Sequence, residues 1–242
     1  GMSSAANDVR ALEAALQPPG MVVAATRDFG EWLVDVDNGS WVASTNAPTA
    51  PDDPLAAPMW DFATSKGGNV WLVTWFAPAD PANWQERDLW GRGSFAYERK
   101  IAGHRALLFN LSPLPVPDRA AGDRFGPFIL ERYGTHRSEA GLWVTVEWSV
   151  DTPVEDNYSW FIHVVDAAGN VVAQQDRAPR GGYAPTSSWI PGESVTDHLF
   201  FPDVQGDGLR LRIGWINPLT RELLATVDAS GNDLPDRFVL LP

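Results

Sequence analysis

Cysteine is absent from all 242 residues. Disulfides, thiolate nucleophiles and cysteine-ligated zinc or iron–sulfur centres are excluded with it. The compartment stays open, because a chain without thiols suits either redox environment. Lysine is nearly absent too, occurring only as Lys66 and Lys100. With 18 basic against 31 acidic residues the formal charge is −13, so the basic footprint that nucleic acids and anionic membrane surfaces require is missing. No apolar run reaches the roughly 18 residues of a membrane-spanning helix. There is no P-loop, no G-x-S-x-G elbow and no H-E-x-x-H. Gly91-Arg92-Gly93 precedes a strand pattern rather than a helix, so it is not a dinucleotide loop. No cofactor and no metal is expected.

What is present is a globular composition, 44% hydrophobic and 20% charged, with 12 tryptophans, 21 glycines and 20 prolines. The length suits one large domain or two ordinary ones. The Gly1-Met2 start has the form of a scar from tag removal, and Ser3 to Leu16 reads as a polar helix rather than a signal peptide. An extracytoplasmic natural protein therefore implies a segment upstream.

The two halves differ in pattern. In the first, Ser4 caps a helix over 5–16 that Pro18-Pro19-Gly20 stops. Strand signals follow at 21–25, 41–44 and 69–76, the last (NVWLVTWF) reading as a central strand. Helical stretches at 54–64 and 81–90 are interleaved with them, and 94–101 and 104–110 read as a hairpin turned at Ala102-Gly103. This predicts a small α/β, Rossmann-like layer with a mostly parallel sheet. In the second half Leu142, Val144, Val146, Trp148 and Val150 alternate with Trp143, Thr145, Glu147 and Ser149, and an Asp166–Gly169 turn joins two apolar runs. About eight short strands predict an antiparallel, immunoglobulin-like β-sandwich. Between them, Ser112-Pro113-Leu114-Pro115-Val116-Pro117-Asp118 reads as an extended spacer. The expectation is an α+β chain of two domains, 1–113 and 119–242, with a linker at 114–118.

Chemistry is only hinted at. Asp35-Val36-Asp37 has the spacing of a metal-diphosphate grip but leads into a polar turn, Asn38-Gly39-Ser40. Asp228 to Asp233 reads either as a calcium loop or as a solvated hairpin turn. His163 should share a strand face with Phe161 and Val165, and an antiparallel neighbour would bring Glu147 to that face. Such a Glu–His pair does acid–base work or stands as a half-buried structural pair. The stretch 177–193 joins two strands and carries Arg177, Arg180, Tyr183 and Trp189. Its rings suit a sugar face and its guanidiniums an anion; the alternative is that it plugs one end of the sandwich. Trp71, Trp75, Trp148 and Trp215 read as core. Three N-x-S matches, at Asn38, Asn110 and Asn157, are a chance number for this length.

The run from Phe161 to Pro202 carries Phe161-x-His163, Asp166-x-x-Gly169, Pro185-Thr186-Ser187-x-Trp189 and Pro191-Gly192-Glu193; Asn217-Pro218-Leu219-Thr220-Arg221-Glu222 follows later. These motifs resemble the extracytoplasmic C-terminal region of bacterial polytopic membrane glycosyltransferases similar to protein O-mannosyltransferases, which take sugar from a polyprenyl-phosphate carrier. The resemblance covers most of 125–227 well and 5–113 loosely. It implies an accessory region on the outer face of the membrane that contacts glycan or sugar-phosphate carrier, with the parent's membrane region upstream. That family's catalysis uses acidic loops of the membrane region, so no catalytic residue carries over and the chain alone should transfer no sugar. Two other readings stand beside it: a stand-alone carbohydrate-binding or adhesive surface protein, and a hydrolase using Glu147 with His163.

Overall fold

The structure is a computed structural model describing residues 16–24, 42–44, 57–74, 83–101 and 104–242. The expected helix over 5–16 (apart from its last residue), Asp35, Asp37 and Asn38 lie outside the described residues. The chain divides into two compact units, Gly1–Pro113 and Leu114–Pro242.

In the first unit the strands are β1 (Met21–Ala24), β2 (Val42–Ser44), β3 (Asn69–Thr74), β4 (Ser94–Ile101) and β5 (His104–Asn110). The helices are α1 (Ala57–Ser65) and α2 (Trp84–Arg92). β1 pairs in parallel with both β2 and β3, whereas β5 pairs antiparallel with both β3 and β4. The sheet is therefore mixed rather than mostly parallel. The reason is local: a two-residue connection between β4 and β5 permits only a hairpin. β3 is central, and Val70, Trp71, Leu72 and Val73 are all buried, as a strand covered on both faces requires. Gly20 passes so close to Asn69 that an added Cβ would sit 2.4 Å from its carbonyl oxygen, so no larger residue fits. The helices are tied by Trp60, which donates through Nε1 to Asp88 at 2.6 Å and packs edge-on against Trp84.

The second unit is built of antiparallel strands throughout. One sheet runs β14 (Asp233–Leu234), β13 (Thr226–Val227), β6 (Arg119–Phe125), β7 (Phe128–Ser138), β8 (Gly141–Val150), β11 (Val195–Pro202). The other runs β10 (Val171–Arg177), β9 (Ser159–Val165), β12 (Arg210–Ile216), β15 (Val239–Leu241). The two pack face to face as a β-sandwich. Leu142, Val144, Val146, Trp148 and Val150 of β8 meet Trp160, Ile162 and Val164 of β9 and Leu211, Ile213 and Trp215 of β12 in one core. Period-two alternation thus fixes which face each strand buries. At its centre Phe128 stacks on Trp215 at 3.8 Å, with Trp148 and Trp189 edge-on to Trp215. The proline-rich segment lies along β7: Val116 crosses Gly134, where an added Cβ would clash with its carbonyl, and Arg132 Nε donates to the Pro117 carbonyl at 2.8 Å.

Two carboxylates of this unit are buried, Asp123 of β6 at 5% exposed and, deeper, Asp197. Asp197 of β11 is 1% exposed. It accepts from Arg177 Nη1 at 2.8 Å, from Trp160 Nε1 at 3.1 Å and from the backbone N–H of Arg180 at 3.0 Å. Arg177 also lies over the Trp160 ring, 4.3 Å from its centroid. Removing one member of a buried ion pair strands the other charge. Asp197→Ala is expected to cost about 3–5 kcal/mol in urea unfolding, whereas the paired replacement Arg177→Met with Asp197→Leu should recover most of that loss. Equal losses in the two proteins would contradict the assignment.

Candidate functional site: the outer groove of the four-stranded sheet

Alternation sends Ile162 and Val164 of β9 into the core, so Phe161 and His163 face outward. The same rule turns Arg212 outward between core residues Leu211 and Ile213 on β12, and Phe238 outward beside Val239. On β10, Arg177 points inward to Asp197, so Asp176 points outward. These side chains line a groove of about 560 Å³, roofed by Pro218, Arg221 and Leu223 and flanked by Asp236. His163 Nε2 lies 2.7 Å from Asp176 Oδ1, and Gln174 Nε2 donates to Asp176 Oδ2 at 3.2 Å. With an ionised Asp176, Nε2 carries the proton and donates it. Phe161 lies across Gly214, where a Cβ would fall 2.2 Å from the ring, so that glycine makes room for the groove floor. The Arg212 guanidinium sits 4.9 Å from the centroid of Phe238. Its buried Nε has no hydrogen-bond partner among the described residues, and neither has the buried Nδ1 of His163.

The groove thus offers a carboxylate–imidazole pair, a second carboxylate, guanidinium forks and apolar ring faces. It offers no serine nucleophile to His163: Ser159 lines the groove, but four residues along one strand is roughly 13 Å. Among the described residues no group of three His, Asp or Glu side chains has metal-binding geometry.

The proposed Glu147–His163 pair does not form. β8 and β9 belong to different sheets, and each residue faces away from the shared core, so they lie on opposite outer faces of the sandwich. Asp176 is the carboxylate that His163 meets instead.

The 177–193 stretch is also corrected. Arg177 grips Asp197 rather than a ligand. Trp189 is 6% exposed, packs against Phe128 and Trp215, and donates Nε1 to the Ala184 carbonyl at 2.9 Å. Arg180 donates its Nε to the Thr196 carbonyl at 3.0 Å, and Tyr183 is half-buried. Thr186 Oγ1 donates to the Asp156 carbonyl at 2.7 Å and accepts from the Tyr158 N–H at 3.0 Å. The Pro-Thr-Ser-x-Trp motif is therefore a plug, held by Thr186 below and Trp189 in the core. Asp228 accepts from the backbone N–H of Asn232 at 2.9 Å, from the Asn232 side-chain amide and from the Ser230 N–H at 2.9 Å, and these bonds hold its carboxyl below the usual range. It closes the β13–β14 hairpin turn, not a calcium loop.

Sequence reasoning missed Asp176, Arg212, Asp236 and Phe238. The available signal was a charge at the outward position of an otherwise apolar strand, as at Arg210 and Arg212.

No protein-family model matches the chain, and no curated protein matches it. Among solved structures, a β-glucuronidase from Bacteroides uniformis is 13% identical, with a TM-score of 0.29 over 53% of this chain and 15% of that one. An endonuclease/exonuclease/phosphatase from Beutenbergia cavernae is 10% identical, with a TM-score of 0.29 over 77% of this chain and 61% of that one. At that score neither relation bears on what this chain does.

On β11, burial holds the His198 imidazole below its ordinary value of 6.5; Asp197 opposes the shift, and Arg180 and Arg177 reinforce it. Its Nδ1 lies 2.8 Å from Thr145 Oγ1. The folded state therefore takes up this proton later than the unfolded chain as pH falls. The contribution is present above about 6.5 and is lost as pH drops through that value toward the lower folded-state pKa. The urea midpoint of the second unit should fall between neutral pH and the lower folded-state pKa, and less steeply in His198→Gln. A slope unchanged by the substitution would contradict this.

Proposed function

We propose that the chain is a non-catalytic accessory region of a membrane glycosyltransferase, and that its second unit contacts glycan through the outer groove. The observation that carries the reading is the groove's composition. Phe238 offers a partly exposed ring for the C–H surface of a sugar over the buried floor of Phe161, while Asp176, Asp236, His163 and Arg212 ring it with hydroxyl partners. The histidine of the Phe-x-His motif lies at the centre of this set. The motif resemblance supports placing the chain on the outer face of the membrane, beside its parent's membrane region and a polyprenyl-phosphate sugar carrier.

We also infer an immunoglobulin-like second unit and a Rossmann-like element in the first. Two packed antiparallel sheets of six and four strands support an immunoglobulin-like second unit. The parallel order β2-β1-β3, with α1 between β2 and β3, supports a Rossmann-like element in the first.

The test is titration of the purified chain with mannose-, glucose- and galactose-based oligosaccharides. Phe238→Ala and Arg212→Ala should each weaken binding by about 1–3 kcal/mol, the worth of one stacking or charge-assisted contact, with folding intact. Tyr183→Ala should bind as wild type. Absence of binding to every oligosaccharide, or loss confined to Tyr183→Ala, would overturn the glycan role. Sugar transfer by the chain alone from a polyprenyl-phosphate donor would overturn the non-catalytic one.

A further inference from the structure

A second cavity, of about 330 Å³, opens at the end of the same sandwich. Its floor is apolar, formed by Leu142, Leu209 and Leu211. Arg119, Arg137 and Arg210 line it from β6, β7 and β12, and so from both sheets, with Arg210 at an outward position of β12. On β7 the core-facing positions run Tyr133, Thr135, Arg137: the apolar stripe ends and a cation takes its next place.

This clustering is unusual for its surroundings. Residues 114–242 hold 10 arginines, no lysine and 18 acidic side chains, so carboxylates are plentiful. The partners these three guanidiniums take are nevertheless few. Arg119 Nη1 donates to the Pro242 carbonyl at 2.7 Å, and its guanidinium lies over Tyr133, 5.5 Å from the ring centroid. Arg137 donates to the Gly206 carbonyl and meets Asp207 at 3.5 Å, where the Asp207 side chain is fully exposed. The backbone of Arg210 pairs with Val165 in the β12–β9 ladder, and its guanidinium has no hydrogen bond or ion pair among the described residues. Oxygens of Gly206 and Pro242 orient two of the three, and the one side-chain carboxylate paired with them among the described residues is the exposed Asp207. Three like charges lining one cavity, faced by a single exposed side-chain carboxylate, favour an anion that joins them.

We infer that this end cavity is a phosphate-binding site, separate from the outer groove. Guanidinium forks match phosphate oxygens bidentately, and an arginine-only set selects that geometry over a point charge. Backbone-held forks also bind with less ordering cost than free side chains. The cavity, of about 330 Å³, has room for a phosphate group, and its apolar floor accepts the carbon part of a phosphate ester. On a chain this acidic, an arginine cluster is a local attractor for an anion.

The probes are inorganic phosphate, pyrophosphate, a hexose 1-phosphate, and phosphatidylcholine vesicles with and without a polyprenyl phosphate. Binding is read by calorimetry for the soluble probes and by co-sedimentation for the vesicles. Arg137→Gln and Arg210→Gln are each expected to weaken binding about 10-fold, as loss of one charge-assisted contact does. Arg137 is exposed, so its variant tests the site without disturbing the core. Rising salt should weaken wild-type binding. Binding of the soluble phosphates supports the site with a ligand from solution; binding confined to the polyprenyl-phosphate vesicles supports it with a lipid headgroup. Binding to none of the probes, or equal binding by wild type and both glutamine variants, overturns it. So does loss of phosphate binding in Arg212→Ala, because that places the anion in the groove. Glycan titration reads the groove independently, so one site fails without the other.

Discussion

The second unit depends on one buried carboxylate. Asp197 sits on the inner face of β11, where its alternating neighbours Val195, Leu199 and Phe201 are apolar. An ionised group there is costly unless its lone pairs are filled. They are filled from the opposite sheet by Arg177 and Trp160, and from the following turn by the Arg180 N–H. The bond network therefore ties the two sheets together and anchors the start of the 177–193 plug. Arg180 takes a left-handed backbone conformation, φ 48°, to deliver its N–H. Such a conformation persists in a non-glycine residue when its surroundings hold it.

The functional consequence follows from strand geometry. Side chains alternate, so turning Arg177 inward turns Asp176 outward, beside His163. A one-residue slip of β10 would bury Asp176 and expose Arg177. The register of the groove is thus set from inside the sandwich. What reaches the outer face is a fixed carboxylate–imidazole pair among aromatic rings, an arrangement suited to recognising hydroxyl-rich ligands. The end cavity draws on the same fold differently, where the apolar stripe of β7 gives way to Arg137.

Local pattern made much of the fold legible. The alternation in β8, the Asp166–Gly169 turn and the β4–β5 hairpin are properties of contiguous residues, and each appears where its signal lies. Adjacency of distant strands is not written locally. Glu147 and His163 each face outward as their alternation implies, yet they lie on opposite faces because β8 and β9 join different sheets. The mixed sheet of the first unit has the same origin, since its antiparallel part comes from a hairpin rather than a crossover. The aromatic and basic residues of 177–193 misled for another reason: residue type on a connection says what a side chain can do, not where it points. Trp189 fills a core gap and Arg177 answers a buried charge, and neither fact is visible before Asp197 is placed. Asp176 went unread because it stands between Gln175 and Arg177 in a polar stretch.

The most direct test of this account is the state of the groove when the buried charge is removed without loss of shape. Imidazole nitrogen shifts of His163 and amide exchange along β9 and β10 would be measured by NMR in the wild type and in Asp197→Asn. If Asp197 sets the register of β10, the substitution loosens the β10 amides and shifts the His163 signal away from its Asp176-bound position, while the β8 amides stay protected. An unchanged His163 signal and unchanged β10 protection would show that the groove forms without the buried ion pair, and would contradict the account.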